Sequence, residues 1–236
     1  MKEPSPKACL LLFLKAPEPG EVKTRLAQAI GAEAACRLYR NFVLDLLETL
    51  SRITGAGSLD LRIFFSPPAA AQEVRKWLGS GYDYAPQEGR DLGERMKNAF
   101  LASFTRGYER VLLLGSDVPD LTGEIIKEGF DHLEGCGAVL GPARDGGYYL
   151  IGFRANAFLP AVFDHIPWST EEVFAKTLAI FRSANCTVAL LPAWRDIDTL
   201  ADLRDLRERH RTGAFARSRT LLYLLSQEDA LAHRPE

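Results

Sequence analysis

The sequence predicts an α/β protein with a mostly parallel sheet flanked by helices. Short runs of continuous apolar residues, such as residues 111–114 (Val-Leu-Leu-Leu), alternate with stretches whose apolar residues recur at helical spacing. Strands buried on both faces are continuously apolar, and their alternation with helices is the mark of βαβ units. The strand-like runs also stop abruptly in loops rich in Gly, Pro and Asp. In open α/β sheets ligands bind outside the carboxyl ends of the strands, so those loops are where function is sought.

Taken in order, residues 9–14 have strand length and end in Lys15-Ala16-Pro17-Glu18-Pro19-Gly20. Residues 32–53 form a long amphipathic helix, because Leu38, Phe42, Leu46 and Leu50 recur every fourth position with charges on the other faces. Residues 61–65 read as a strand, 72–78 as a short helix, 92–104 as a helix after a Gly-containing loop, and 111–114 as the next strand. A helix over 123–133 follows, then strands at 138–140 and 148–153 around a Gly-rich turn, a pair expected to be locally antiparallel. Residues 171–181 look helical, 188–191 extended and 200–209 helical. A C-terminal helical extension covers 206–236, with a polar, frayed tail from Ser226. No repeat, low-complexity segment or long linker interrupts the chain, so one domain over 1–236 is expected, its core about 8–205.

Bulk properties exclude several classes. A hydrophobic fraction of 47% and a charged fraction of 25% describe an ordinary globular protein. A net charge of −2 gives no reason to expect a nucleic-acid surface, although local basic clusters still matter. Lys2 and Lys7 before the apolar run 8–14 superficially resemble a signal peptide, but the run is short, lacks a small-residue cleavage site and leads into Lys15. Nothing approaches the roughly 18 apolar residues that span a bilayer. Cys9, Cys36, Cys136 and Cys186 form no C-x-x-C pair, as expected of reduced thiols in a cytoplasmic protein.

Four segments could carry chemistry. The loop after the first strand continues Glu21-Val22-Lys23-Thr24-Arg25-Leu26 and sets Lys15, Lys23 and Arg25 around a Pro/Gly turn. Backbone N–H groups, a Lys point charge and a bidentate Arg suit phosphate, although a solvated basic loop has the same composition. The G-x-x-x-x-G-K-[ST] pattern is absent. Second, Gly115-Ser116-Asp117-Val118-Pro119-Asp120 delivers carboxylates at a strand end; Asp117 is assigned to function and Asp120 to capping the following helix. Third, Asp145-Gly146-Gly147-Tyr148 is either a hairpin turn or a close approach to a ligand. Fourth, Asp196 and Asp198 alternate in an extended segment before a helix and point the same way; Asp198 either caps that helix or ligates a metal. Gln87 to Arg95 enters another helix, where Asp91 reads as the cap. Trp168 is read as a core aromatic beside a Ser/Thr cap, and His132, His165, His210 and His233 have no metal-ligand spacing.

In combination, Lys15-Ala16-Pro17…Lys23-Thr24-Arg25-Leu26, Leu92-Gly93-Glu94-Arg95, Gly115-Ser116-Asp117-x-Pro119, Asp145-Gly146-Gly147-Tyr148-Tyr149 and Asp196-Ile197-Asp198-Thr199 resemble a bacterial glycosyltransferase family associated with radical-SAM and selenium-related gene clusters. The resemblance covers roughly residues 8–205. It implies the Rossmann-like A-type glycosyltransferase fold of nucleotide-diphospho-sugar transferases. It also implies metal-dependent transfer from a nucleotide-activated donor to an acceptor. Asp117 and Asp198 would hold Mg²⁺ or Mn²⁺ on the diphosphate, since such hard cations take oxygen ligands. Lys15, Ala16, Pro17, Gly20, Lys23, Arg25, Gln87, Gly93, Arg95 and Ser116 would line the nucleotide. Arg25 would stabilise the leaving diphosphate, and Asp145, as base or sugar ligand, would serve the acceptor with Gly146, Gly147 and Tyr148. Asp117-Val118-Pro119-Asp120 is not a strict D-x-D. Lys23-Thr24-Arg25-Leu26 is similar also to the phosphate loop of phospholactate guanylyltransferases, which makes nucleotidyl transfer the rival activity; a non-catalytic nucleotide sensor is the third reading. Phe215, Leu221, Leu222, Leu224 and Leu225 could pack on the domain or against a second copy in a homodimer.

Overall fold

The computed structural model describes residues 8–54 and 59–232. Seven strands form one sheet in the order β3-β2-β1-β4-β6-β5-β7. They are β1 (Ala8–Lys15), β2 (Leu59–Ser66), β3 (Asp83–Pro86), β4 (Arg110–Gly115), β5 (Ala138–Pro142), β6 (Tyr148–Arg154) and β7 (Val188–Leu190). Pairings β1·β2, β1·β4, β2·β3 and β5·β7 are parallel, whereas β6 runs antiparallel to both β4 and β5. The apolar run after Lys7 is thus the central strand β1, buried from Ala8 to Leu14.

The helices are α1 (Thr24–Ile30), α2 (Ala32–Thr54), α3 (Ala71–Leu78), α4 (Leu92–Thr105), α5 (Gly123–Gly135), α6 (Val173–Ser183), α7 (Leu200–Arg209) and α8 (Arg219–Ala232). The stripe of α2, including Tyr39, Val43, Leu46 and Leu50, covers one sheet face with Leu10, Leu12, Leu112 and Leu114 beneath it. The opposite face is filled by aromatic rings, with Phe100 of α4 edge-on to Phe153 of β6 at 5.1 Å. A third cluster, Leu26, Leu38, Phe42, Ile197, Leu203 and Leu206, seats α1 and α7 against α2. Alternating side-chain direction along β1 and β4 sends successive leucines to opposite faces, so one apolar run feeds two cores.

The antiparallel β6 matters for function. Its reversal brings Tyr148, the first residue of the strand, to the edge where the parallel strands end. Gly152 sits where a Cβ would lie 2.2 Å from Leu112 Cδ2 and 2.8 Å from Val139 Cγ1, so only glycine lets β4, β5 and β6 close up here.

One expectation changes. The tail is not frayed from Ser226: α8 continues to Ala232, and its N-terminus is tied down by the buried Asp45, which accepts from the backbone N–H groups of Arg219 and Thr220 at 2.9 Å each. Residues 233–236 lie outside the described residues. The apolar group near it divides, with Leu221 buried and Phe215 and Leu224 packed on the third cluster, while Leu222 and Leu225 are half exposed. No helix among the described residues is long and apolar enough to cross a membrane.

Candidate active site

Chain order reverses at β1: β2 and β3 lie on one side and β4 on the other. A crevice opens beyond the carboxyl ends at such a switch point, because the following loops turn in opposite directions. The loops after β1 and β4 flank that crevice, and the turn 143–147 and the segment 192–199 join them along the same edge.

The loop after β1 is built, not loose. Ala16 N–H donates to Ser66 O at 2.7 Å, the Cys36 thiol donates to Pro17 O at 2.9 Å, and Lys15 N–H donates to the Tyr39 hydroxyl at 2.8 Å. Ala16 and Pro17 are buried, Lys15 is exposed, and Gly20 turns the tip at φ 87°. The chain then re-enters through Lys23, whose φ of 49° and ψ of 46° lie in the left-handed region that non-glycine residues rarely occupy. Arg25 is exposed on the first turn of α1.

That conformation aims Lys23 inward over the Phe42 ring, 5.7 Å from its centroid. Its Nζ meets Asp117 Oδ1 at 2.5 Å and Asp198 Oδ1 at 2.8 Å. The lysine side chain is 3% exposed, whereas those of Asp117 and Asp198 are 45% and 36% exposed. Burial alone would lower the ammonium's affinity for its proton, but Asp117 and then Asp198 outweigh it and raise the pKa. The two acids chosen from the sequence as metal ligands therefore do converge, on one cation.

Their loops are fastened together. Ile197 N–H donates to Asp117 O at 3.0 Å, and the buried Ile197 side chain anchors the segment in the third cluster. Asp196, between Asp198 and the β5–β6 turn, has its carboxyl pushed up to about 8 by burial and then by the charges of Asp117 and Asp145, with Lys23 partly offsetting them. Asp117 and Asp198 thus hold the lysine, and Asp196 lies within electrostatic reach of all three and of Asp145.

Asp120 corrects the expectation of a helix cap. Thr122 occupies the N-cap position of α5. The Asp120 side chain is fully buried and accepts from Trp194 Nε1 at 3.0 Å, Arg209 at 2.7 Å and His210 Nε2 at 2.8 Å. It clamps the β4 loop to the 194–210 segment. Asp198 is no cap either: Thr199 caps α7, accepting from Asp202 N–H in a capping box. Asp91 does cap α4, accepting from Glu94 N–H at 2.9 Å.

Other candidates sit as follows. Ser116 is buried, its hydroxyl 3.0 Å from that of Tyr39, whose pKa burial and the Asp117 charge push up to about 12. Gln87 is buried and donates from Nε2 to Leu14 O and Phe64 O, both at 3.0 Å, stapling β1 to β2 beneath the edge. Arg95 is half-buried, with Nε donating to Gly89 O at 3.2 Å. Asp145 is exposed and accepts from Gly147 N–H at 2.9 Å. Gly146, at φ 91°, abuts the backbone of Glu171, and its carbonyl accepts from Phe174 N–H at 2.8 Å.

Gly93 and Tyr148 form a separate group around Trp168. A Cβ on Gly93 would lie 2.5 Å from Phe163 O and 2.8 Å from the Trp168 ring, and Tyr148 meets that ring edge-on at 6.3 Å. The Tyr148 hydroxyl is sunk against Met96 Sδ at 3.9 Å, and burial raises its pKa. Trp168 is a packing aromatic, as expected, but α6 starts only at Val173, and Thr170 serves the preceding turn by donating to Pro167 O. Tyr39 and the electrostatic part of Asp196 were missed; a tyrosine on an otherwise apolar helix face was the available signal for the first.

Among the described residues no group of three or more His, Cys, Asp or Glu side chains is arranged to hold a metal ion. The donor set instead matches the way Mg²⁺ is commonly bound, through one or two carboxylates completed by substrate phosphates.

The sequence profile of a family of uncharacterised proteins conserved in bacteria, DUF2064, matches residues 49–170. A solved structure from Desulfovibrio desulfuricans G20, provisionally assigned as a nucleotide-diphospho-sugar transferase, is 43% identical over 95% of this chain and 96% of that one, with a TM-score of 0.89. The chain belongs to the DUF2064 family. Within the matched span lie Gln87, Gly93, Asp117 and Asp145, whereas Lys23 and Asp198 lie outside it. More distant structures share the fold. A nucleotidyl transferase from Methanothermobacter is 16% identical over 86% of this chain and 97% of that one, at a TM-score of 0.58. Rv0371c from Mycobacterium tuberculosis in complex with manganese is 17% identical over 86% and 98%, at 0.52. No curated protein sequence matches the chain significantly.

Proposed function

We propose that this DUF2064 member is a metal-dependent transferase that moves a glycosyl group from a nucleoside-diphosphate sugar to an acceptor hydroxyl. One observation carries the reading: Asp117 and Asp198, from separate loops at the switch point, direct one oxygen each at a shared cation. A diphosphate clamped by a divalent ion needs such a pair. The provisional assignment of the Desulfovibrio relative supports the donor class, and the manganese complex of Rv0371c supports the metal.

Asp117 and Asp198 would hold Mg²⁺ or Mn²⁺, which neutralises charge on the diphosphate. Lys15 and Arg25, exposed at the end of β1 and on the first turn of α1, would face the phosphates, and Arg25 would offset the charge of the leaving nucleoside diphosphate. Asp145 takes the proton of the acceptor hydroxyl as its oxygen bonds to the anomeric carbon and the bond to the diphosphate breaks. Gln87 acts from below, holding β1 and β2 so that the floor of the nucleotide crevice stays fixed.

Nucleotidyl transfer is the second reading, favoured by the Methanothermobacter fold neighbour and the Lys23-Thr24-Arg25 loop. It attacks the α-phosphorus and releases pyrophosphate. Incubation with Mn²⁺ and separate panels of nucleoside triphosphates and nucleoside-diphosphate sugars separates the two. Free nucleoside diphosphate with a glycosylated product is expected; pyrophosphate from a triphosphate and a phosphorylated acceptor would replace this reading with the second.

A further inference from the structure

Building on the metal-site reading above, we propose that Lys23 is a tethered cation that guards the acid pair, bridging Asp117 and Asp198 until a divalent ion displaces it toward the phosphates of the incoming substrate. The ammonium takes one oxygen from each acid, at 2.5 and 2.8 Å. A divalent ion held by the same two carboxylates at about 2.0–2.1 Å would sit close to that ammonium, and two cations sharing one acid pair repel each other. The lysine reaches the acids from beneath, over Phe42, and is nearly inaccessible, while the acids remain partly open on their outer sides. A divalent ion therefore has a route to the carboxylates that does not pass through the lysine.

Electrostatics supplies the drive. Asp117 and Asp198 set two carboxylates against a single ammonium, so replacing one positive charge by two balances the pair. The released lysine immediately precedes α1, which carries Arg25, and its flexible four-carbon stem can offer a point charge to a phosphate. Metal and diphosphate then bind cooperatively: each pays part of the cost of separating Lys23 from the acids, and coupling of this kind is reciprocal.

The test uses Mn²⁺ alone and inorganic pyrophosphate as probes, with free Mn²⁺ read by electron paramagnetic resonance. Lys23→Met keeps the length of the stem and removes the charge. It is expected to bind Mn²⁺ about tenfold more tightly than the unmodified protein without pyrophosphate, because no tethered charge has to be displaced. The tightening of Mn²⁺ by pyrophosphate should shrink in the same variant. Equal or weaker Mn²⁺ binding by folded Lys23→Met, where the unmodified protein binds Mn²⁺ and Asp117→Asn abolishes it, overturns the guard and leaves the metal site standing. Absence of Mn²⁺ binding in both proteins overturns the guard and the metal site together. Should the variant not fold, the unmodified protein suffices: amine labelling of Lys23, followed by mass spectrometry, is expected to rise on adding Mn²⁺, and unchanged labelling at saturating Mn²⁺ refutes displacement.

Discussion

Asp120→Ala is expected to destabilise the protein by about 3 kcal/mol. The wild-type carboxylate is fully buried and accepts from Trp194, Arg209 and His210, so its removal takes a partner from three donors at once. Breaking a buried ion pair by deleting one partner costs about 3–5 kcal/mol. The lower end applies because Arg209 is 37% exposed and keeps Asp205 at 2.7 Å. For a chain of this length about 3 kcal/mol corresponds to a fall in Tm of roughly 6–12 °C. Urea denaturation followed by tryptophan fluorescence measures it, with midpoint and slope fitted separately. A second readout tests the clamp itself: amide exchange at Ile197, which donates to Asp117 O, should accelerate in the variant beyond the change seen at β1. A loss below about 1 kcal/mol, against the scale expected of a buried pair, or exchange at Ile197 that merely tracks the global change, would refute the argument.

Two further outcomes follow from local geometry. Gly146→Ala would carry its Cβ to 2.3 Å from Glu171 O at a φ of 91°, so a loss of about 2–4 kcal/mol is expected from left-handed strain and overpacking together; an unchanged Tm would show that the 171–174 segment yields freely. Asp83 bridges Arg62 and Arg106; burial alone would raise its pKa, but the two guanidinium groups outweigh it and lower it. A depressed carboxyl stabilises the fold above its unfolded value near 3.9 and loses that contribution as pH falls through the folded value. Asp83→Asn should therefore flatten the fall of Tm between about pH 4 and 2, and an identical acid limb in the variant would exclude the bridge as its cause.

The sheet was legible because its signal is local. The run after Arg110 could be read as a buried strand from four residues, and the stripe from Leu38 to Leu50 fixed α2 to within one residue at its C-terminal end. Strand β3, Asp-Tyr-Ala-Pro, escaped because a four-residue edge strand has neither an apolar run nor two covered faces. Helix α1 escaped because its seven residues follow a lysine in a left-handed conformation, which no propensity rule anticipates. The loops that meet at the site could be named from their composition. Which side chain faces which could not, since Lys23 and Asp198 are separated by 175 positions.

Asp120 shows where reasoning from neighbours in sequence reaches its limit. A short acid two residues before a helical pattern satisfies every local rule for a cap, yet a cap needs only solvent and a free N–H. What decides the matter is burial: once the third cluster seats α7 against α2, Arg209, His210 and Trp194 are brought beneath the β4 loop, and a carboxylate there gains three donors in place of one. The same packing lays Ile197 against Asp117, so the position of Asp198 relative to Asp117 is set by the core under α7 and not by the loops that carry them. The acid pair is therefore only as well defined as the docking of the 194–210 segment, and substitutions at its buried apolar contacts, such as Leu203 or Leu206, should loosen the grip on Lys23 without touching any charged group.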